Sequence, residues 1–284
     1  MVTRSVRREL ALLTPVLLWA ASGCATTPPS STQQVEASPS APAPAPAATE
    51  RTQESAPPSV GEAALSPTVR GKTVLVVGDS WAGSLGAGMS KIAAPDNVVI
   101  TAKLGGCGII MPYSVAGRVT KETNTPCLEW RTKLPQYMER YKPDAVLFGT
   151  AAWDAIPQAF NASGVELSIE HPRVRARFET HAGRALDILA RGNAPVYLIN
   201  ARDDSPAHRV MNDEVQKISN KYKSEGVRLL DLKAQLCVNK SCPRVLRGKK
   251  VYDASDRPAP WSRDRLAKWI LNSMFAEKTT GHLL

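Results

Sequence analysis

Histidine is scarce, with four in 284 residues, and no two of the five cysteines are spaced C-x-x-C. No His lies near those cysteines in sequence, which argues against a Cys/His metal site. The glycines at 105–108 are not followed by Lys-Ser/Thr, so a phosphate-cradling loop is missing. The apolar run Leu10–Ala21 is too short to span a membrane comfortably and contains Pro15. What is present excludes wholesale disorder: 43% of residues are hydrophobic, and the 214 residues after position 70 are ample for one core. The net charge of +10 is uneven: 1–23 carries +2, 25–70 carries −2, and 71–284 carries the remaining +10. That excess is spread too thinly to indicate a nucleic-acid partner and favours anionic surfaces or polymers.

Arg4, Arg7 and Arg8 precede the apolar run, the pattern of a secretory signal. The run ends in Ala21-Ser22-Gly23-Cys24, which resembles a bacterial lipobox, with Ala where Leu is commoner. Residues 1–23 are therefore expected to be a lipoprotein signal, with Cys24 taking the lipid. Residues 24–70 hold nine of the 22 prolines and almost no large apolar side chains. Such a stretch buries too little surface to offset its ordering entropy and reads as a tether. Extended, it reaches about 140 Å at about 3.1 Å per residue. The expectation is an exported bacterial envelope lipoprotein, on the outer membrane or periplasmic face if the cell is Gram-negative. With Cys24 lipidated, four cysteines remain, and an even number in an exported domain suggests two disulfides. Three pairings are possible, and Cys107–Cys127 with Cys237–Cys242 closes the shortest loops.

From residue 71 the chain alternates apolar runs with helical periodicity. Strands are expected at Thr73–Val77, Asn97–Ala102, Ala145–Gly149, Val196–Asn200 and Val227–Leu232. Between them, helices are expected at Ser80–Lys91, Glu129–Tyr141, Pro172–Arg191 and Ala207–Glu225, with a last helix at Ser262–Ala276. Val174, Phe178, Ala185, Leu186 and Leu189 share one face of the longest. This alternation predicts an α/β fold, a three-layer α/β/α sandwich on a five-stranded parallel sheet of flavodoxin-like type. Ligands then bind beyond the carboxyl ends of the strands.

The first of those ends reads Gly78-Asp79-Ser80 before a helix, and it resembles the opening block of the SGNH hydrolases, or GDSL esterases. A serine at the first turn of a helix presents its hydroxyl beside its own amide and the helix dipole, which favours a developing oxyanion. Gly105-Gly106-Cys107-Gly108 resembles the second block, and Gly106 or Gly108 would supply another oxyanion amide. Together with Cys127-Leu128-Glu129-Trp130 and Ala151-Ala152-Trp153-Asp154, the chain is similar to SGNH domains fused to membrane acyltransferases of bacterial envelopes.

Two blocks depart from the family. The third usually supplies Asn, whereas Gly149-Thr150 offers only the Thr150 hydroxyl, with Trp153 and Asp154 beside it as pocket residues. The last usually reads Asp-x-x-His, whereas here it is Asp253-Ala254-Ser255-Asp256. An ordinary carboxylate is a poor base for a serine hydroxyl, so Asp256 serves only if burial or Asp253 raises its pKa strongly. His208, just past the fourth strand, is the imidazole on the expected active face; His171, His181 and His282 read as structural or surface residues. Trp153 and Trp261 could stack on sugar rings. The resemblance implies no cofactor or metal. It implies ester hydrolysis or O-acyl transfer through Ser80 on O-acylated peptidoglycan or envelope polysaccharide, or else a degenerate domain that binds glycan or a protein partner. Oligomeric state leaves no trace in the sequence.

Overall fold

Val74–Val77 and Ala145–Phe148 carry no polar side chain, as strands buried on both faces require. In the computed structural model both are inner strands of one parallel sheet. The structure describes residues 65, 67–93, 95–103, 108–110, 114–115, 118–119, 129–160, 163–202, 205–237 and 241–275. Cys24, Gly106, Cys107 and Cys127 lie outside them, as does the whole signal and most of the tether.

In chain order the elements are β1 (Thr73–Gly78), α1 (Ser80–Ile92), β2 (Val98–Lys103), β3 (Ser114–Val115), β4 (Arg118–Val119) and α2 (Trp130–Tyr141). They continue with β5 (Ala145–Gly149), α3 (Ala151–Asp154), β6 (Gln158–Ala159), β7 (Glu166–Leu167), α4 (Pro172–Leu189), β8 (Val196–Ile199) and α5 (Pro206–Lys221). The last are β9 (Val227–Leu230), α6 (Leu232–Leu236), β10 (Val245–Leu246), β11 (Lys249–Lys250) and α7 (Pro260–Phe275). The main sheet runs β2-β1-β5-β8-β9, all parallel. This is the doubly wound order, whose direction reverses between β1 and β5, so a ligand crevice is expected beyond their carboxyl ends.

Alternate residues of the inner strands feed two cores. Leu75, Val77, Val146 and Phe148 pack with Trp130 and Leu134 of α2, Phe178 and Leu186 of α4, and Met211 and Val215 of α5. Val74, Val76, Ala145 and Leu147 pack on the other face with Leu85 and Met89 of α1 and Leu266 and Ile270 of α7. The five expected strands and five long helices are all present. The helix expected to run to Glu225 instead ends at Lys221 and is followed by a 3-10 turn, Lys223–Glu225. Packing also begins before residue 71: Val69 is buried, and the Thr68 hydroxyl donates to the Phe275 carbonyl at 2.7 Å. Elements absent from the sequence reading are a small antiparallel sheet, β4-β3-β6-β7, and the β10–β11 hairpin. Cys237 and Cys242 are joined by a disulfide just ahead of that hairpin. Among the described residues no helix is long and apolar enough to cross a membrane.

Candidate active site

Gly78 ends β1 with φ of 149° against Gly149 of β5; a Cβ there would overlap the Gly149 carbonyl. The two strand ends therefore close together, and the Asp79 amide donates to the Gly149 carbonyl at 3.1 Å. Asp79, fully buried, caps α1: its Oδ1 accepts from the amides of Trp81 (2.9 Å) and Ala82 (3.4 Å). Its Oδ2 accepts from the Trp153 amide of α3 at 3.1 Å. Burial pushes the Asp79 carboxyl up to about 6, against the pull of its backbone hydrogen bonds. One side chain thus fixes the helix carrying Ser80 to the turn carrying Trp153. The Trp153 indole N–H in turn donates to Ser80 Oγ at 3.4 Å.

Asp154, at the other end of that turn, works in the opposite direction. It is fully buried, and its carboxylate accepts from the amides of Ile109 (2.9 Å) and Ile110 (3.2 Å). A Cβ on Gly108 would overlap this carboxylate, so glycine is needed for the close approach. The carbonyls of the same two residues are held from α4: His181 Nδ1 lies 3.0 Å from the Ile109 oxygen, and Arg177 Nε donates to the Ile110 oxygen at 2.8 Å. Every backbone polar group of Ile109 and Ile110 therefore has a side-chain partner. Burial pushes Asp154 up to about 7, with the Asp79 charge adding to the rise, and burial lowers His181 to about 4.

Beyond the carboxyl ends of β1, β5 and β8 lies a cleft of about 240 Å³, lined among others by Ser80, Trp153, Ile156, Arg202, His208 and Asp256. Its β8 side is held by Asn212, whose side chain exchanges two hydrogen bonds with the Ala201 backbone, at 2.8 and 3.2 Å. His208 sits in the first turn of α5, where Ser205 Oγ accepts its amide at 3.1 Å and lies 3.0 Å from its ring Nδ1. The ring is thereby held from the side of Ser205.

The stretch before α7 is occupied by arginines. Asp256, at φ of 57°, has its backbone oxygen held by the Trp81 indole at 2.9 Å. Its Oδ1 accepts from Arg244 Nη2 at 2.7 Å and lies 3.5 Å from Arg202 Nη1. Arg244 first, then Arg202, holds this carboxyl below the ordinary carboxylate value. The condition for Asp256 to act as a base, a strongly raised pKa, is not met. Asp253 accepts from the amides of Ser255 (2.8 Å) and Arg257 (3.1 Å) and pairs with the Arg257 guanidinium at 3.0 Å. Burial works the other way, yet these hydrogen bonds hold Asp253 below its ordinary value. It shapes a turn rather than orienting a base.

Thr150, Asp154 and Gly108, expected in the oxyanion pocket, are placed behind it: the buried Thr150 hydroxyl hydrogen-bonds Asp154, and none of the three is among the described residues lining the cleft. Trp153 does line it. The expected oxyanion role of Gly106 and the Cys107–Cys127 bridge fall outside the described residues. Sequence reasoning did not single out Arg202, although its place just after β8 was the available signal. Arg244 gave none, because nothing in its neighbourhood marks it as a partner of Asp256. Among the described residues no three His, Cys, Asp or Glu side chains are gathered as metal ligands would be.

A Gly-Asp-Ser turn stands at the β1–α1 junction of a 2-1-3-4-5 parallel sheet, and the chain belongs to the SGNH domain family of the kind fused to AT3 domains, which matches residues 45–212. The match ends before Asp253 and Asp256. Solved structures similar to this chain include a GDSL-like lipase from Bacteroides thetaiotaomicron (9% identity, TM-score 0.45, 72% of this chain and 88% of that one). Others are a lipolytic protein of the G-D-S-L family from Desulfitobacterium hafniense (12%, 0.46, 71% and 98%) and an acetyl xylan esterase from Butyrivibrio proteoclasticus (13%, 0.46, 72% and 64%). No curated protein sequence matches significantly.

Proposed function

We propose that the chain is an envelope-tethered ester hydrolase or O-acyltransferase in which Ser80 is the nucleophile and His208 the base. The observation that carries this reading is that Ser80 and His208 line one cleft at the carboxyl edge of the sheet. Ser80 Oγ attacks the acyl carbonyl while His208, through the ring nitrogen opposite Ser205, takes the hydroxyl proton. The Asp79 cap takes the amides of Trp81 and Ala82 but not that of Ser80, which sits at the positive end of α1 beside the attacked carbon. The Trp153 indole N–H, 3.4 Å from Ser80 Oγ, orients that hydroxyl. As the ester C–O bond breaks, His208 returns the proton to the departing sugar oxygen, which leaves as a hydroxyl, and water or an acceptor hydroxyl discharges the acyl-serine by the reverse steps. The substrate class is an O-acylated cell-envelope glycan, reached from a lipid on Cys24 through the 24–70 tether.

A second reading is a binding domain without turnover. It is favoured by the arginine pairing of Asp256 and the use of Asp253 in a turn, which leave the usual acid–base position empty of any base. Hydrolysis of an aryl acetate and of O-acetylated peptidoglycan by the full-length protein separates the two. The catalytic reading expects turnover that falls at least about 10³-fold in Ser80→Ala and about 10²–10⁴-fold in His208→Gln. Equal rates in the parent and Ser80→Ala would contradict it and favour binding.

A further inference from the structure

A second cleft, of about 660 Å³, opens between the β10–β11 hairpin and the first turn of α7. Arg244, Lys249, Lys250, Tyr252, Asp253 and Trp261 line it. The one carboxylate among the described residues lining it, Asp253, is already paired with Arg257 at 3.0 Å. Lys249 and Lys250 are exposed and pair with no carboxylate among the described residues. Arg244 keeps 64% of its side chain exposed while it pairs with Asp256. The 16-residue α7 turns its positive end toward the same space. The cleft is therefore cationic, and half-buried Trp261, whose ring also carries the Arg265 guanidinium at 4.9 Å, adds an aromatic side chain of the kind that packs on a sugar ring.

This cleft adjoins the Ser80 cleft. Arg244 lines one and Arg202 lines the other, and both guanidinium groups lie over the Tyr252 ring, at 6.0 and 4.9 Å. Between them stands Asp256, bound by both. The carboxylate in the usual His position thus orients two arginines, one per cleft.

We infer that the second cleft is a binding subsite for an acidic polysaccharide, a polymer bearing carboxylate or phosphate groups, whose chain continues into the Ser80 cleft. The inference rests on the glycan-directed reading above for the kind of polymer, and not on turnover. Cations on three sides meet the anionic groups, Trp261 meets a ring face, and the Arg202–Asp256–Arg244 bridge carries the chain from one cleft to the next.

The test uses the full-length protein with Ser80→Ala, which binds without turnover. Calorimetry measures binding of a galacturonate oligomer, a neutral xylose oligomer of equal length, and a phosphodiester-linked mannose oligomer of equal length. The acidic oligomer is expected to bind at least about tenfold more tightly than the neutral one, less so as salt rises, with a loss of about tenfold or more in Lys249→Glu/Lys250→Glu. Whichever of the uronate and phosphate polymers binds tighter identifies the anion. The charge-neutral pair Lys249→Gln/Lys250→Gln should lose less but in the same direction. The inference is overturned if the neutral oligomer binds as well, or if the glutamate variant, folded by circular dichroism, binds unchanged. It is equally overturned if phosphatidylglycerol vesicles, and not the oligomers, show the lysine dependence. Turnover by the parent without acidic-oligomer binding defeats this inference alone; binding without turnover defeats the catalytic reading alone.

Discussion

Two segments, 108–110 behind the Ser80 cleft and 253–257 along it, use ionisable groups in opposite ways. At 108–110, buried Asp154, His181 and half-buried Arg177 grip the backbone, and burial moves the acid up and the imidazole down. At 253–257, carboxylates near the surface are paired with arginines and held below their ordinary values. The first arrangement fixes the shape of the floor behind the site. The second fixes where cations stand, and these can meet a ligand. The buried segment thus sets geometry, and the surface segment sets charge.

The largest break in this comparison should come from Gly108→Ala, because the new methyl overlaps the Asp154 carboxylate. A loss of about 1–3 kcal/mol or more is expected in denaturant titration, with turnover falling alongside. Asp154→Asn comes next and carries a pH signature. The Asp154 pKa is raised to about 7, so the folded state binds its proton more tightly than the unfolded chain does. The stability this contributes is full below the ordinary carboxylate value and is lost as pH rises toward 7. The gap in melting temperature between parent and Asp154→Asn should therefore narrow from pH 5 to pH 8. His181 has the opposite sign: with its pKa lowered to about 4, its contribution is full above about 6.5 and is lost on acidification, and His181→Gln should remove that acid-side loss. Asp256→Asn should show the smallest stability effect, about 1 kcal/mol or less, and no slope from pH 5 to pH 8, because this carboxyl titrates below that window.

The main sheet was legible because runs such as Val74–Val77 are short, rich in β-branched residues and closed by Gly78, as buried strands are, and Gly78-Asp79-Ser80 marked the edge to read for function. The small sheet was not: β3, β4, β6 and β7 are two residues each, too short for any alternation. Of the site, Ser80 and Trp153 could be read from their places after strands. Asp154 and Thr150 were read as pocket residues because sequence position cannot tell which way a turn faces; α3 directs them inward. His181 was read as structural, and its bond to the Ile109 carbonyl is long-range, spanning 72 positions. The partnership of Asp256 with Arg244 and Arg202 likewise joins segments whose proximity exists only in the fold.

The most direct test treats the full-length protein with a fluorophosphonate and locates the adduct by peptide mass spectrometry, beside Ser80→Ala and His208→Gln. The account predicts an adduct on Ser80, none in Ser80→Ala, and a labelling rate at least about tenfold slower in His208→Gln. No adduct on a folded parent protein, or labelling of Ser80 at an unchanged rate in His208→Gln, would contradict it.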